Sequence, residues 1–372
     1  MMNRRKFIGI AGTSLAAAAG VSYLVAETHN VTRTDIGSQL SVGSRLHNDE
    51  NAILYYASLA PSGHNTQPWF VKHIERFHWL ICNDKSRWLP AVDPTQRETV
   101  LSIGAFLQNL EYAAGHYGYS CQFDIVGKSN QDENMVDVKL VKMPAATDYD
   151  VNNISSRRTL RSGFLSNIIT KATINYLAGD DGNYLHYFPS GSRETSWIND
   201  QTVEANIKQA ARDEAQAELS QWIRFSGKDA KKHCDGLTTA SMEIEGIPAF
   251  FVRNFYGKKD VMKQAFRDKT LDQVRDQVAH SAGWIVITSS NNSVAMLIET
   301  GMRLQRLLLK VRTQGIAIHP MTQILEETGT QTAVNTSTGI TDPIQFLLRT
   351  GYVTDYPGAV SLRRSVDLFI RS

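Results

Sequence analysis

Apolar and polar positions along the chain fall into short runs of two kinds, which predict strands and helices in alternation. Phe77-His78-Trp79-Leu80-Ile81 and Trp284-Ile285-Val286-Ile287 are short, apolar and rich in aromatic or β-branched residues, as strands are. After the second run, Leu297, Gly301, Leu304, Leu308 and Val311 recur on one helical face, and Gly315 follows where a left-handed helix stop belongs. The first strand has a similar sequel. Gly104 leads to Gly118 as Gly301 leads to Gly315, fourteen residues in each case, with Leu107, Gln108 and Leu110 matching Leu304, Gln305 and Leu307. Any two amphipathic helices share leucines, but here the spacing and the preceding strand both repeat. The chain is read as two related halves of α+β class.

The first half, residues 27–149, is predicted to hold a helix ending at Ala60, a strand near Trp69–Ile74, the Phe77 strand, the Gly104 helix and strands near Cys121–Val126 and Val136–Val141. The second, residues 150–372, is predicted to hold a helix from about Thr170, a strand near Tyr184–Phe188 and a long helix at about Thr202–Phe225. The Trp284 strand, the Gly301 helix and a strand Phe346–Val353 follow. Residues 226–263 show no clear period and carry Phe250, Phe251, Phe255 and Tyr256. This stretch reads equally as a lid or as a surface excursion.

The N-terminus changes the picture. Asn3-Arg4-Arg5-Lys6-Phe7-Ile8 precedes an uncharged, Ala- and Gly-rich run from Gly9 to Ala26. Residues 1–26 are read as a twin-arginine export signal, with an uncleaved membrane anchor as the alternative. Export through the twin-arginine machinery implies a periplasmic or exported protein, and a cofactor inserted before export.

The 372 residues are 42% hydrophobic and carry a net charge of only +2, which suits an ordinary globular chain and argues against nucleic acid as a partner. Three cysteines without a Cys-x-x-Cys pair argue against a disulfide framework or a zinc site; Cys82 and Cys121, on predicted strands, are read as buried thiols. The histidines form no His-x-x-x-His pair, and His73 and His78 are expected to be exposed beside a turn. No Gly-x-Ser-x-Gly elbow and no Gly-x-Gly-x-x-Gly turn occur, so hydrolase and Rossmann readings are weak.

Three clusters carry candidate chemistry. Pro61-Ser62-Gly63-His64-Asn65-Thr66-Gln67-Pro68-Trp69 either wraps a flat, polar-edged ligand or is a capped helix end. Ser155-Ser156-Arg157-Arg158-Thr159-Leu160-Arg161 offers guanidinium forks suited to phosphate, or is a solvated basic run. Arg349 and the pair Arg363-Arg364 are ambiguous alone.

With Asp93-Pro94-Thr95-Gln96-Arg97-Glu98, Gly315-Ile316-Ala317-Ile318-His319-Pro320-Met321-Thr322-Gln323 and Leu348-Arg349-Thr350-Gly351-Tyr352, these segments resemble the nitroreductases, and among them the Acg-type FMN-binding oxidoreductases. The resemblance covers nearly all of the chain after about residue 45. It implies a nitroreductase-like fold in which a two-subunit site is fused into one chain as a pseudo-dimer, one FMN, and a monomer. It implies that Arg157, Arg363 and Arg364 hold the phosphate, with Arg158 in the same basic motif. Arg161 would face the flavin N1–O2 edge and Thr159 the flavin or its ribityl chain. Pro61, Ser62, His64 and Asn65 would touch the cofactor from the other half, and a backbone N–H of Thr322 or its neighbours Pro320, Met321 and Gln323 would meet N5. No side chain is expected to be the catalyst. The activity implied is ping-pong hydride transfer between small-molecule donors and acceptors. The alternative is a flavin-sequestering protein with 226–263 closed over the ring. Val274 and Gln277 stand where the family has Asn and Lys, so those pyrimidine-edge contacts are expected to be lost.

Overall fold

The computed structural model describes residues 29–36, 46–327 and 330–371; the export signal expected at 1–26 lies outside them. The helices are α1 (Asn48–Ser58), α2 (Arg97–His116), α3 (Asn152–Ser156), α4 (Lys171–Ala178), α5 (Arg193–Ala211), α6 (Asp213–Trp222), α7 (Gly227–His233), α8 (Gly246–Phe255), α9 (Lys258–Val261), α10 (Gln264–Ala279), α11 (Val294–Lys310), α12 (Gln323–Glu326) and α13 (Gln331–Thr338). The strands are β1 (Trp69–Glu75), β2 (His78–Asn83), β3 (Tyr119–Ile125), β4 (Asn134–Lys142), β5 (Leu185–Pro189), β6 (Gly283–Thr288), β7 (Ile316–Pro320), β8 (Ile344–Tyr352) and β9 (Ile370–Arg371).

The fold is α+β, and the two halves share one plan. One sheet runs β3-β4-β2-β1-β9 and the other β7-β8-β6-β5, so the first four strands of each stand in the same order. They pair antiparallel throughout. Each half sends a long helix, α2 or α11, to the centre, and these two make the most extensive contact between any two elements. Gly118 and Gly315, which follow the two helices, both take positive φ, 82° and 62°, as left-handed stops.

The fifth strand breaks the symmetry. After β8 the tail crosses to the first half, and β9 pairs parallel with β1, Val71 opposite Ile370. Phe369 is fully buried and packs edge-on to Phe106 of α2. β6 is buried along its whole length because α11 covers one face and α5 and α10 the other, where Trp284, Ile198, Val274 and Val278 form a second core.

Four expectations are corrected here. Residues 226–263 are not an aperiodic loop but contain α7, α8 and α9. The long helix at 202–225 starts earlier and breaks at Arg212, whose guanidinium binds the Ala91 carbonyl and the Glu327 carboxylate. His73 and His78 are half-buried, His78 lying 3.0 Å from Asp137 across the strand pair. Cys82 is buried, but Cys121 is only partly so.

Candidate functional site

The loop between α1 and β1 is held in an expensive conformation. His64, Asn65 and Gln67 all have positive φ, 47°, 54° and 53°, in the left-handed region where a residue with a Cβ costs about 1 kcal/mol or more. Two arginines of the C-terminal tail fix it. Arg363 donates to the carbonyls of Leu59 and Ala60 at 3.1 and 2.9 Å and to Asn65 Oδ1 at 2.7 Å. Arg364 donates to the carbonyls of Gln67 and Trp69 at 2.8 and 2.7 Å. Asn65 Nδ2 in turn donates to the carbonyls of Leu362 and Gly236, and the Ser62 hydroxyl accepts from the Gln67 N–H. Strain held by so many bonds belongs to a functional site more often than to a plain connection.

This geometry sorts the expected residues. Arg364 lies apart from the other arginines of the motif, on the side of the loop with Arg87, Asp84 and Asp235. Arg363 faces Arg157 and Arg33, both of which depress its pKa after burial has done so. Arg157 is buried, its pKa pushed down to about 10, first by burial and then by Arg33, while the Tyr356 phenol acts in the opposite direction. Its Nη1 donates to the Thr159 hydroxyl at 3.3 Å. Arg158 turns away, donating to the Gly358 carbonyl. Buried Arg157 and Arg363 and partly buried Arg33 therefore act on one another where the two halves and the N-terminal segment converge, and the phenols of Tyr55 and Tyr356 act on them as well.

Arg33 has no counterpart in the sequence reading. It belongs to the segment 29–36, where its backbone N–H donates to the Val360 carbonyl and its guanidinium to the Ser155 carbonyl. A single arginine outside any recognisable motif carries no spacing by which it could be found.

Arg161 forms a second centre. Its Nη1 lies 2.8 Å from Nε2 of His319, and its Nε donates to the Ser241 carbonyl at 3.1 Å. A guanidinium only donates, so His319 Nε2 accepts and the proton sits on Nδ1. Burial and then the Arg161 charge hold both neighbouring imidazoles neutral: His64 is pushed down to about 4, and His319 falls well below its ordinary value. Burial also lowers Arg161 itself. Arg349 of β8, stacked 4.2 Å over Phe164, holds the Arg161 carbonyl at 2.6 Å. Glu243, at φ 58°, accepts from the Arg161 N–H and the Ser162 hydroxyl. The turn at 241–243 is thus bonded onto this centre, beside a cleft of about 320 Å³ walled by Arg158, Ser162 and Asp355.

Pro320 to Gln323 divide. Pro320 closes β7, Met321 packs into the second core rather than toward the arginines, and the Thr322 hydroxyl lies 3.1 Å from both Glu98 and Glu326. Glu98 also approaches Gly63 of the loop, its Oε2 lying 3.6 Å from where a Cβ would sit. Pro61 and His64 stay partly open. Among the described residues, Arg157 Nε, His319 Nδ1 and Gln323 Oε1 are buried without a hydrogen-bond partner, which leaves two donors and an acceptor available to a bound molecule.

No protein-family model matches the chain. In sequence it is 24% identical over 317 residues to the probable NAD(P)H nitroreductase PigM of Serratia sp., spanning 81% of this chain and 87% of that protein. The chain resembles a nitroreductase. An uncharacterized protein of Mycobacterium tuberculosis is 22% identical over 313 residues, 81% of this chain and 86% of its own length. Among solved structures, the FMN-dependent nitroreductase NfnB of Mycobacterium smegmatis in complex with NADPH matches at a TM-score of 0.35 and 14% identity, covering 59% of this chain and 92% of that one. A nitroreductase-like family protein of Bacillus cereus matches at 0.29 and 14%, covering 58% and 92%.

Proposed function

We propose that this protein is an FMN-dependent oxidoreductase of nitroreductase type, with one flavin site built between the halves of a single chain. The observation that carries the reading is the meeting of Arg33, Arg157 and Arg363. Three cations close enough to act on one another, two of them buried and one partly so, cost free energy unless an anion compensates them, and a phosphate monoester is the anion that guanidinium forks fit best. Arg157 Nε, unpartnered and buried, is a donor for it. Arg363 also ties that anion site to the strained loop through Asn65, so the two clusters would form one elongated site. The relation to PigM, and the FMN named for NfnB, support the same class.

When bound, FMN would supply hydride acceptance and donation. The chain's own residues bind and orient. Arg161 keeps a positive charge at the site while two neutral imidazoles flank it, and a fixed cation favours an electron-rich ring edge. His319 Nδ1–H is a free donor in the same place. Export through the twin-arginine route, an existence as a monomer and a donor other than free NAD(P)H belong to this proposal.

A flavin-sequestering role is the second reading, and the bonds from Arg161 and Ser162 to the turn at Ser241 and Glu243 favour it. The purified protein should show the absorbance of oxidised flavin; a colourless protein that takes up no added FMN would refute both readings. Turnover with a panel of hydride donors, compared between wild type and Glu243→Ala, separates them. Sequestration predicts turnover only in the variant.

A further inference from the structure

Helix α8 is built inside out. On a globular surface the apolar stripe of a helix faces the core and its charges face water. Here Ile247, Phe251 and Phe255, spaced four residues apart along one face, are 74%, 50% and 65% exposed, while Ala249 and Arg253 are buried. Tyr256 extends the stripe at 45% exposure, and the Phe251 and Phe255 rings contact one another at 5.6 Å. Lys258 and Lys259, both exposed, follow directly, and Lys263 beyond them is paired with Asp260 at 2.7 Å. Aromatic and aliphatic side chains outward with lysines at one end is the pattern of a helix lying in a membrane interface. At ten residues α8 is about 15 Å long, too short to cross a bilayer.

The N-terminus meets the same helix. Asn30 Oδ1 accepts from the Arg253 guanidinium and, at 2.7 Å, from the Thr239 hydroxyl. The uncharged run Gly9–Ala26 ends only four residues in sequence before Asn30, the residue bonded to α8, a stretch of chain that reaches at most about 14 Å.

We propose that the outward face of α8 is a membrane-docking surface, with Ile247, Phe251, Phe255 and Tyr256 entering the lipid and Lys258 and Lys259 meeting anionic headgroups. This surface does not depend on the flavin assignment.

The test uses the full chain with Cys121→Ser, so that Cys82 and Cys234, both buried, are the remaining native thiols. Phe251→Cys, and separately Phe255→Cys, carries an environment-sensitive fluorophore, and Ser129→Cys on the exposed β3–β4 turn carries the control. Vesicles of phosphatidylglycerol and phosphatidylethanolamine at one to three should raise emission severalfold at both α8 positions. Nitroxide lipids labelled near the headgroup should quench it, leaving the Ser129 position unchanged. Added salt should weaken the effect, because the lysine contribution is screened. Unquenched α8 labels would overturn the proposal. Shielding from aqueous iodide before lipid is added would overturn it too, assigning the face to the N-terminal run if concentration-independent and to a second copy if it grows with concentration.

Discussion

Gly104 and Gly301 lie back to back at the centre of the molecule, each with a carbonyl of the other's helix where a Cβ would go. A Cβ on Gly104 would sit 2.1 Å from the Ile298 oxygen, and one on Gly301 would sit 2.0 Å from the Leu101 oxygen. Residues three before each glycine thus exchange places, the self-complementary contact of a two-fold interface, here within one chain. Gln305 and Arg306 extend it, donating to Asn109 Oδ1 and Gln108 Oε1 at 2.7 and 2.8 Å.

Gly301→Ala should therefore destabilise the protein by about 2–4 kcal/mol, since backbone must move rather than a flexible side chain. Gly104→Ala should cost a similar amount. Urea unfolding measures both, and a loss below about 0.5 kcal/mol at either site would show that the helices have room to part.

Arg157→Ala should weaken FMN binding by about 1.5–3 kcal/mol, the range for a charge-assisted hydrogen bond. Arg33→Ala should weaken it roughly tenfold, about 1.4 kcal/mol. Asn65→Ala should also weaken it, by freeing Arg363 rather than by losing a direct contact. Riboflavin, which lacks the phosphate, separates the causes. Its affinity should be unchanged in the two arginine variants, and equal losses for both flavins would move these residues away from the phosphate.

The central helices were legible because a glycine that must touch backbone leaves a mark in sequence, and two of them left it at matching positions. The loop at 61–69 was legible as a dense run of turn formers. Other features had no such signature. β9 is two residues long, too short for an alternating pattern, and it is placed by Phe369 and by hydrogen bonds to a strand some three hundred residues earlier. α8 was missed because it is only ten residues long and opens with Gly246 and Pro248, residues that read as loop punctuation. Arg363 and Arg364, adjacent in sequence, point to opposite sides of one loop, and no spacing rule separates their tasks.

Glu98, Glu326 and Asp93 make the pH dependence specific. Burial and then the Glu98 charge raise Glu326 to about 8 and Asp93 to about 7. A folded-state pKa above the ordinary 4.5 of glutamate means that the folded protein binds the proton more tightly. The stability is therefore full below about 4.5 and is lost as pH rises through 8. His64 works in the opposite sense: its folded pKa of about 4 lies below 6.5, so its contribution is lost as pH falls from 6.5 to 4. Glu326→Gln isolates the first effect, because its amide oxygen can still accept from Gln209 while its NH2 donates to the Thr322 hydroxyl, which has Glu98 as another acceptor. The variant should be more stable than wild type at pH 8, on the order of 1–3 kcal/mol, and should lose that advantage toward pH 5. Equal stability at both pH values in urea titrations would mean that Glu326 titrates normally.

Assembly follows from the same central contact. In a two-subunit protein with a shared site, the helix carrying Gly104 would need an identical helix from a partner. Here its partner is the helix carrying Gly301, and the tail that hands Arg363 to the loop comes from the same chain. Trp69, Phe106 and Leu110 on one side and Leu297, Leu304 and Leu308 on the other lie in one continuous core. No second copy is needed to bury them or to complete the arginine cluster. The protein in solution, freed from lipid, should thus be a monomer near its chain mass of 41.5 kDa with one flavin, its flavin content unchanged on dilution through the micromolar range. Light scattering alongside flavin absorbance decides the point, because flavin lost in step with a dimer-to-monomer transition would place the site between two chains.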